Sequence, residues 1–353
     1  MPDWNRWAEA QARIYEDAME RLGAGMARSA QAALVQAYQQ MEGRLARLYN
    51  RAVADGGLSF ALQRNQMMMA ELEAVFERFQ LPADLQRQVS ESMGRAREFG
   101  RTWAQESLNE AGALFLSATP DYARELVRQS PAPADDWLYR AAAHREGLGV
   151  TGGADLRAAI AAQDLRRYEA LRNYHAMARF NRTRDDVAEK IQNVISVNVA
   201  QGTSWRKVER NLRQVMGAAS NRAGMVARTE IAAASGEAMR QEYEARGVEM
   251  VQFIAVMDSR TSDFCATRNR RIYRFGEIVV PLHPHCRSTL MPVSQRMIDR
   301  GFIDPAAEAK ARAEGLRELE AAGRRPNYGP APFEKSAGLE APTPVWKPPA
   351  PSP

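Results

Sequence analysis

Met250-Val-Gln-Phe-Ile-Ala-Val-Met257 is the stretch at which the pattern of this chain changes. Upstream of it, apolar residues recur at helical spacing; within it, β-branched and aromatic side chains follow one another as in a strand. Arg271-Ile-Tyr-Arg274 and Ile278-Val-Val280 offer antiparallel partners. The expected fold is mainly α with a small C-terminal α+β module: an elongated helical N-terminal region, then a short antiparallel sheet packed on helices.

Directly after this strand come Asp258-Ser-Arg260-Thr261-Ser262-Asp263-Phe-Cys265 and, further on, His283-Pro284-His285-Cys286-Arg287. Both cysteines and two of the four histidines fall between Asp258 and Arg287. Cys and His ligate soft or borderline metals, form disulfides and act as nucleophiles, so their concentration in one corner marks it for function. The N-terminus, Met1-Pro-Asp-Trp-Asn-Arg-Trp7, has no basic and apolar leader pattern, and a reducing cytoplasm is the expected compartment. There a lasting Cys265–Cys286 disulfide is disfavoured. The longest apolar run, Ala113–Ala118, is far below the roughly 20 residues of a membrane span, and none is expected.

Working back towards the N-terminus, amphipathic helices are expected at about 4–22, ending at Gly23 and Gly25, at 29–53, ending near Gly56-Gly57, at 58–79, and at 84–116 before Pro120. The third carries Met67-Met68-Met69, either core filling or an adaptable docking face. Pro131-Ala-Pro133 and the glycine-bearing stretch Gly147–Gly153 read as a boundary. Helices are then expected at 156–180, 185–200, 204–216, capped by Thr203 or Ser204, and 220–246, ending at Gly247. The resulting domains are a helical region, 1–150, a module of helices and sheet, 151–300, and a helical-to-disordered tail, 301–353. The last thirty residues of that tail hold nine prolines.

The net charge is +5, carried by 43 Arg and 5 Lys against 43 acidic residues. Residues 166–230 alone hold 13 basic and 6 acidic side chains, a local surplus of +7. Arg166, Arg167, Arg172, Arg179, Arg182, Arg206, Lys207, Arg210 and Arg213 read either as a solvated helix face or as a surface for the phosphates of a nucleic acid, bound without sequence preference.

The order Gly202-Thr-Ser204, Ala227-Arg228-Thr229-Glu230 on a helix, a strand, Asp258-x-Arg260-Thr261 and His283-Pro284-x-Cys286-Arg287 resembles the phage Mu F-like head morphogenesis family, minor head proteins of tailed phages. The resemblance covers roughly residues 155–293 and is sharpest from Met257 to Pro292. It implies a low-copy minor capsid protein, without enzymatic activity, in the capsid interior or at the portal vertex, present in the host cytoplasm during assembly. Its implied partners are the portal protein, capsid or scaffolding proteins and packaged or ejected DNA. Arg228, Thr229, Glu230, Asp258, Arg260, Thr261, His285 and Arg287 are the motif residues, read as holding the fold together by charge-assisted hydrogen bonds, with Arg228 and Glu230 tying the long helix to the Asp258 corner.

Many members resembling this chain have four thiols where it has Ser262, Cys265, Cys286 and Ser288. The implied zinc ligands are therefore Cys265, His283 and Cys286, with Asp258, Asp263 or His285 as a further ligand, and the metal would staple loop to strand. The other reading makes both cysteines small buried apolar residues. An acid/base set of Asp258, Glu230 and His285, or a metal-dependent nuclease or transferase-type toxin built on Asp258, His285 and Cys286, is the alternative function. A nuclease of the strand-strand-helix type lacks a His after His285, and no phosphate loop or nucleophile elbow occurs.

Overall fold

Long helices occupy most of the chain before residue 246 in a computed structural model that describes residues 3–54, 71, 74–77, 79–119, 121–122, 125, 137–139, 141, 154–201 and 203–321. They are α1 Trp4–Ala54, α2 Asp84–Ala118, α3 Ala154–Ala200 and α4 Trp205–Ala245. After them come β1 Met250–Ile254, α5 Asp263–Ala266, β2 Ile272–Arg274, β3 Thr289–Val293, α6 Gln295–Asp299 and α7 Pro305–Ala321. The protein is thus mostly helical with one small antiparallel sheet towards the C-terminus. No helix among the described residues is long and apolar enough to cross a membrane. Gly56-Gly57, Met67-Met68-Met69, the boundary signals at 131–133 and 147–153 and the proline-rich tail lie outside the described residues.

The chain forms two compact units, each built from separated segments: 1–16, 103–152 and 240–353 in the first, 17–102 and 153–239 in the second. In the second unit, buried Leu34, Met41 and Leu45 of α1, Val89 and Met93 of α2, Phe180 and Ile191 of α3, and Leu212 and Ile231 of α4 supply the core. Helix α1 does not stop at Gly23 or Gly25, and α3 and α4 are each continuous where two helices were expected. A glycine within a helix costs only about 1 kcal/mol relative to alanine, which packing readily outweighs. At Gly23 and Gly100, among other positions, the glycine allows close approach. A Cβ on Gly23 would lie 2.8 Å from Arg228 Cγ, and one on Gly100 would lie 2.2 Å from the Ser235 carbonyl oxygen.

The first unit contains the sheet, ordered β2-β1-β3 and antiparallel throughout, with Val251 opposite Tyr273 on one side and Pro292 on the other. Ile278-Val-Val280 is not a strand; β1's second neighbour is Thr289–Val293. Pro292 argues against a strand in the sequence, yet an edge strand tolerates a residue that cannot donate to the ladder. Helix α4 ends as expected at Gly247, whose φ is 67°. The Gly247 N–H reaches the Glu244 carbonyl at 3.1 Å and the Val248 N–H reaches that of Tyr243 at 3.0 Å, the paired bonds of a Schellman ending.

Gln252, wholly buried at the centre of β1, anchors this unit. Its Oε1 accepts from Trp4 Nε1 at 2.7 Å, and its Nε2 donates to Glu308 Oε2 at 3.0 Å and to the Arg270 carbonyl at 3.2 Å. A buried amide satisfied by three separate segments fixes their register. Tyr243, also fully buried, donates to the Leu290 carbonyl at 3.1 Å and meets Ser107 Oγ at 3.0 Å. Burial pushes its phenol well above the usual tyrosine range.

Candidate functional site

Beyond β1 the chain makes a tight turn that explains the Asp-x-Arg-Thr spacing. Asp258 Oδ1 accepts from the Arg260 N–H at 2.8 Å, Thr261 Oγ1 accepts from the Asp258 N–H at 2.9 Å, and the Thr261 N–H donates to the Asp258 carbonyl at 3.0 Å. Short polar side chains that bond backbone two or three residues away close such turns without help from regular structure. The turn holds the Asp258 carboxylate towards Arg287, which grips it with both ends of its fork, Nη1 to Oδ2 at 2.9 Å and Nη2 to Oδ1 at 2.5 Å. Arg287 also donates to Glu16, a buried residue of α1, and Arg260 reaches the same Glu16 oxygen at 3.2 Å. Two guanidiniums thus balance two carboxylates. Hydrogen bonding from Arg287, opposed by burial and helped by the Arg260 N–H, holds the Asp258 carboxyl well below the usual carboxylate range. Burial works against the Arg287 cation, but the bonds to Asp258 and Glu16 prevail and raise its pKa.

Next comes α5, a single turn capped by Ser262, whose Oγ accepts from the Cys265 N–H at 3.2 Å. The cap presents the buried Cys265 thiol inward. Ahead of β3, the Cys286 N–H donates to the His283 carbonyl at 3.1 Å, a turn that brings the His283 ring and the Cys286 thiol together. His285 takes φ 59° inside this turn and is exposed.

The sulfurs of Cys265 and Cys286 are 3.8 Å apart, and both cysteines are free. His283 Nε2 lies 2.9 Å from Cys265 Sγ and 2.7 Å from Ser262 Oγ, while its Nδ1 faces the Pro284 carbonyl at 2.7 Å. A carbonyl can only accept, so Nδ1 carries the proton and Nε2 turns its lone pair towards the thiols. The Cys286 thiol donates to Cys265, and this bond, opposed by burial and aided by Ser262, Ser288 and the nearby Arg268 charge, brings the Cys265 pKa down to about 7. The same bond together with burial pushes Cys286 up, so Cys265 is the more acidic thiol of the pair.

The structure therefore brings Cys265, His283 and Cys286 together, with all three ligand atoms within 4.8 Å of one another. Asp258 is engaged with Arg287 instead, and Asp263 is buried at the start of α5 outside this group. Glu230, expected to tie its helix to the Asp258 corner, has its fully buried carboxylate on Arg179, with Arg172 at 3.9 Å. Thr229 bonds its own helix at the Met225 carbonyl, 2.8 Å away. Cavities of about 340 and 310 Å³ are lined by residues such as Arg44 and Glu71, and Arg28 and Gln88; neither includes Asp258, His285 or Cys286.

Of the basic residues, Arg206, Lys207, Arg210 and Arg213 are exposed on α4, opposite buried Val208 and Leu212, and Arg182 is exposed on α3. Arg172 and Arg179 turn inward to Glu230 instead of to solvent. Arg166 and Arg167 lie on α3, with side chains outside the described residues. Sequence reasoning did not find Glu16, because its partner Arg287 is 271 positions away and no local signal links them.

No curated protein and no solved structure matches this chain. The family model described as Phage Mu protein F like protein matches residues 189–291, from the C-terminal part of α3 through α4, β1, α5, β2 and the beginning of β3. The match contains the Ala227–Glu230 motif, the Asp258 turn and the His283–Arg287 segment. Over residues 189–291 the chain is therefore similar to the Phage Mu protein F like family, in agreement with the resemblance carried by its motifs.

Proposed function

We propose that this protein is a minor head component of a tailed phage that docks at the portal vertex during prohead assembly and contacts packaged DNA through the basic face of α4. The family match over residues 189–291 is the observation that carries the reading. The chemistry of the motif supports a binding role. Asp258, Thr261 and Arg287 are spent on one another and on Glu16, and the Glu230 carboxylate is held by arginine. Groups so engaged organise a surface; a general acid or base needs a reachable proton partner. Exposed Arg206, Lys207, Arg210 and Arg213 give α4 the cationic stripe that a phosphate backbone requires.

The test is co-purification with the portal protein of the same phage. Assembled portal rings mixed with the intact protein should carry it through size-exclusion chromatography at low copy number. A protein that elutes alone in the presence of rings defeats portal docking.

A further inference from the structure

We propose that Cys265, His283 and Cys286 are the three protein ligands of a zinc ion that locks α5 to the turn preceding β3. The reading rests on the geometry of this cluster and stands independently of the head-assembly role.

The separation of the sulfurs is the first argument. Two thiolates bound at about 2.3 Å to one tetrahedral zinc lie about 3.8 Å apart. The observed Sγ–Sγ separation is 3.8 Å. A disulfide would bring the sulfurs to about 2.05 Å. The second argument is the histidine. Its Nδ1–H is fixed on the Pro284 carbonyl, the usual device for orienting a zinc-bound imidazole, and Nε2 faces the sulfurs. Nε2 is 2.9 Å from Cys265 Sγ, closer than the tetrahedral edge. A ring displacement of roughly 0.7 Å would open that edge to about 3.6 Å.

Charge supplies the third argument. Two thiolates neutralise a divalent ion, so the centre can lie among buried residues without a further anion. This fits the engagement of Asp258 with Arg287 and the position of Asp263 outside the cluster. The fourth corner falls to an oxygen: Ser262 Oγ, 2.7 Å from Nε2, or a water held there. Sulfur and imidazole donors favour zinc over magnesium or calcium, which prefer oxygen. The mechanical effect is local. Residues 255–288 link β1 to β3 with only α5 and β2 as regular structure, and a metal joining Cys265 to His283 and Cys286 would close that connection on itself.

The experiment measures zinc in the intact protein, purified without chelator, and then replaces zinc with Co²⁺. We expect about one zinc per chain, and a cobalt form with tetrahedral visible bands and thiolate charge-transfer absorption. His285→Gln should retain both signals, whereas Cys265→Ser and Cys286→Ser should lose them. Because loss of a buried thiol can itself impair folding in those serine variants, the wild-type thiols provide a separate reading: both should resist a thiol reagent until a chelator is added. The proposal is overturned if the wild-type protein holds no zinc and takes up no cobalt, if its thiols react equally with and without chelator, if it contains a Cys265–Cys286 disulfide, or if a Cys265→Ser, Cys286→Ser double variant keeps the metal.

Discussion

Glu230 has no solvent exposure, and its charge is answered by Arg179 and Arg172, whose side chains remain 30% and 20% exposed. Glu230→Ala would strand two partly buried cations. A destabilisation of about 3 kcal/mol is expected, the lower end for breaking a buried pair because both arginines retain some access to water. Urea unfolding would measure it, and a change under about 0.5 kcal/mol would place the pair with ordinary surface ion pairs. Asp258 leads to a prediction about pH. Its folded pKa is depressed, so its stabilising contribution is present above the unfolded value of about 3.9 and is lost as pH falls towards the lower folded value. The gap in urea midpoint between wild type and Asp258→Asn should be steady from pH 7 to about 5 and shrink below about pH 4. An undiminished gap at pH 3 would assign the effect to shape, not charge. Asp258, Arg260, Thr261 and Arg287 were legible because most of their bonds span only a few positions or join two neighbouring motifs. Glu16 was not, since its role exists only after the chain has folded back over 271 positions. His285, expected only as a further ligand, takes φ 59° in its turn and is exposed.

At the scale of elements, glycine separates what can be read from sequence from what cannot. Gly247 ends α4 because the backbone there adopts φ 67°, and both the residue and its place after a helical run announce this. Gly23 and Gly25 look like similar stops but lie inside a continuous helix. Whether a helical glycine marks an end, a close crossing or nothing at all depends on the neighbour it meets, which one sequence does not contain. Gly100 and Gly94, both in α2, allow a paired test. A Cβ on Gly100 would meet the Ser235 backbone, whereas one on exposed Gly94 would meet nothing within 4 Å. Gly100→Ala should therefore destabilise by roughly 1–3 kcal/mol through overpacking. Gly94→Ala should stabilise by about 0.5–1 kcal/mol through helix propensity. Thermal unfolding of the two variants should move in opposite directions, and equal shifts would contradict the close crossing. The sheet was only partly visible for a related reason. β1 and β2 carry β-branched and aromatic residues, while β3 is interrupted by Pro292, acceptable only because that strand lies at an edge.

For the whole molecule, the mainly helical class and the small late sheet were legible from the change in hydrophobic period, whereas the assembly of each compact unit from separated segments was not. Periodicity reports which face of an element is apolar, not which distant segment covers it. DNA binding also belongs to this scale, because it sums many weak phosphate contacts. If Arg206, Arg210 and Arg213 each neutralise one phosphate, replacing all three with alanine should reduce the slope of log affinity against log salt by about 2.7. Filter binding to duplex DNA over a salt series would measure this, and an unchanged slope would move the DNA contact away from α4. The closure of the first unit has one further consequence, in time. Trp4 bonds Gln252, 248 positions later, and Glu9 and Glu16 pair with Arg270 and Arg287. A ribosome therefore produces the opening turns of α1 long before their partners exist. Trp4, Glu9 and Glu16 must wait for these partners until the sheet has emerged, so this unit can mature only late in synthesis, and a chain interrupted before residue 250 would leave apolar Trp4 without its buried place beside Gln252, the kind of surface that chaperones recognise.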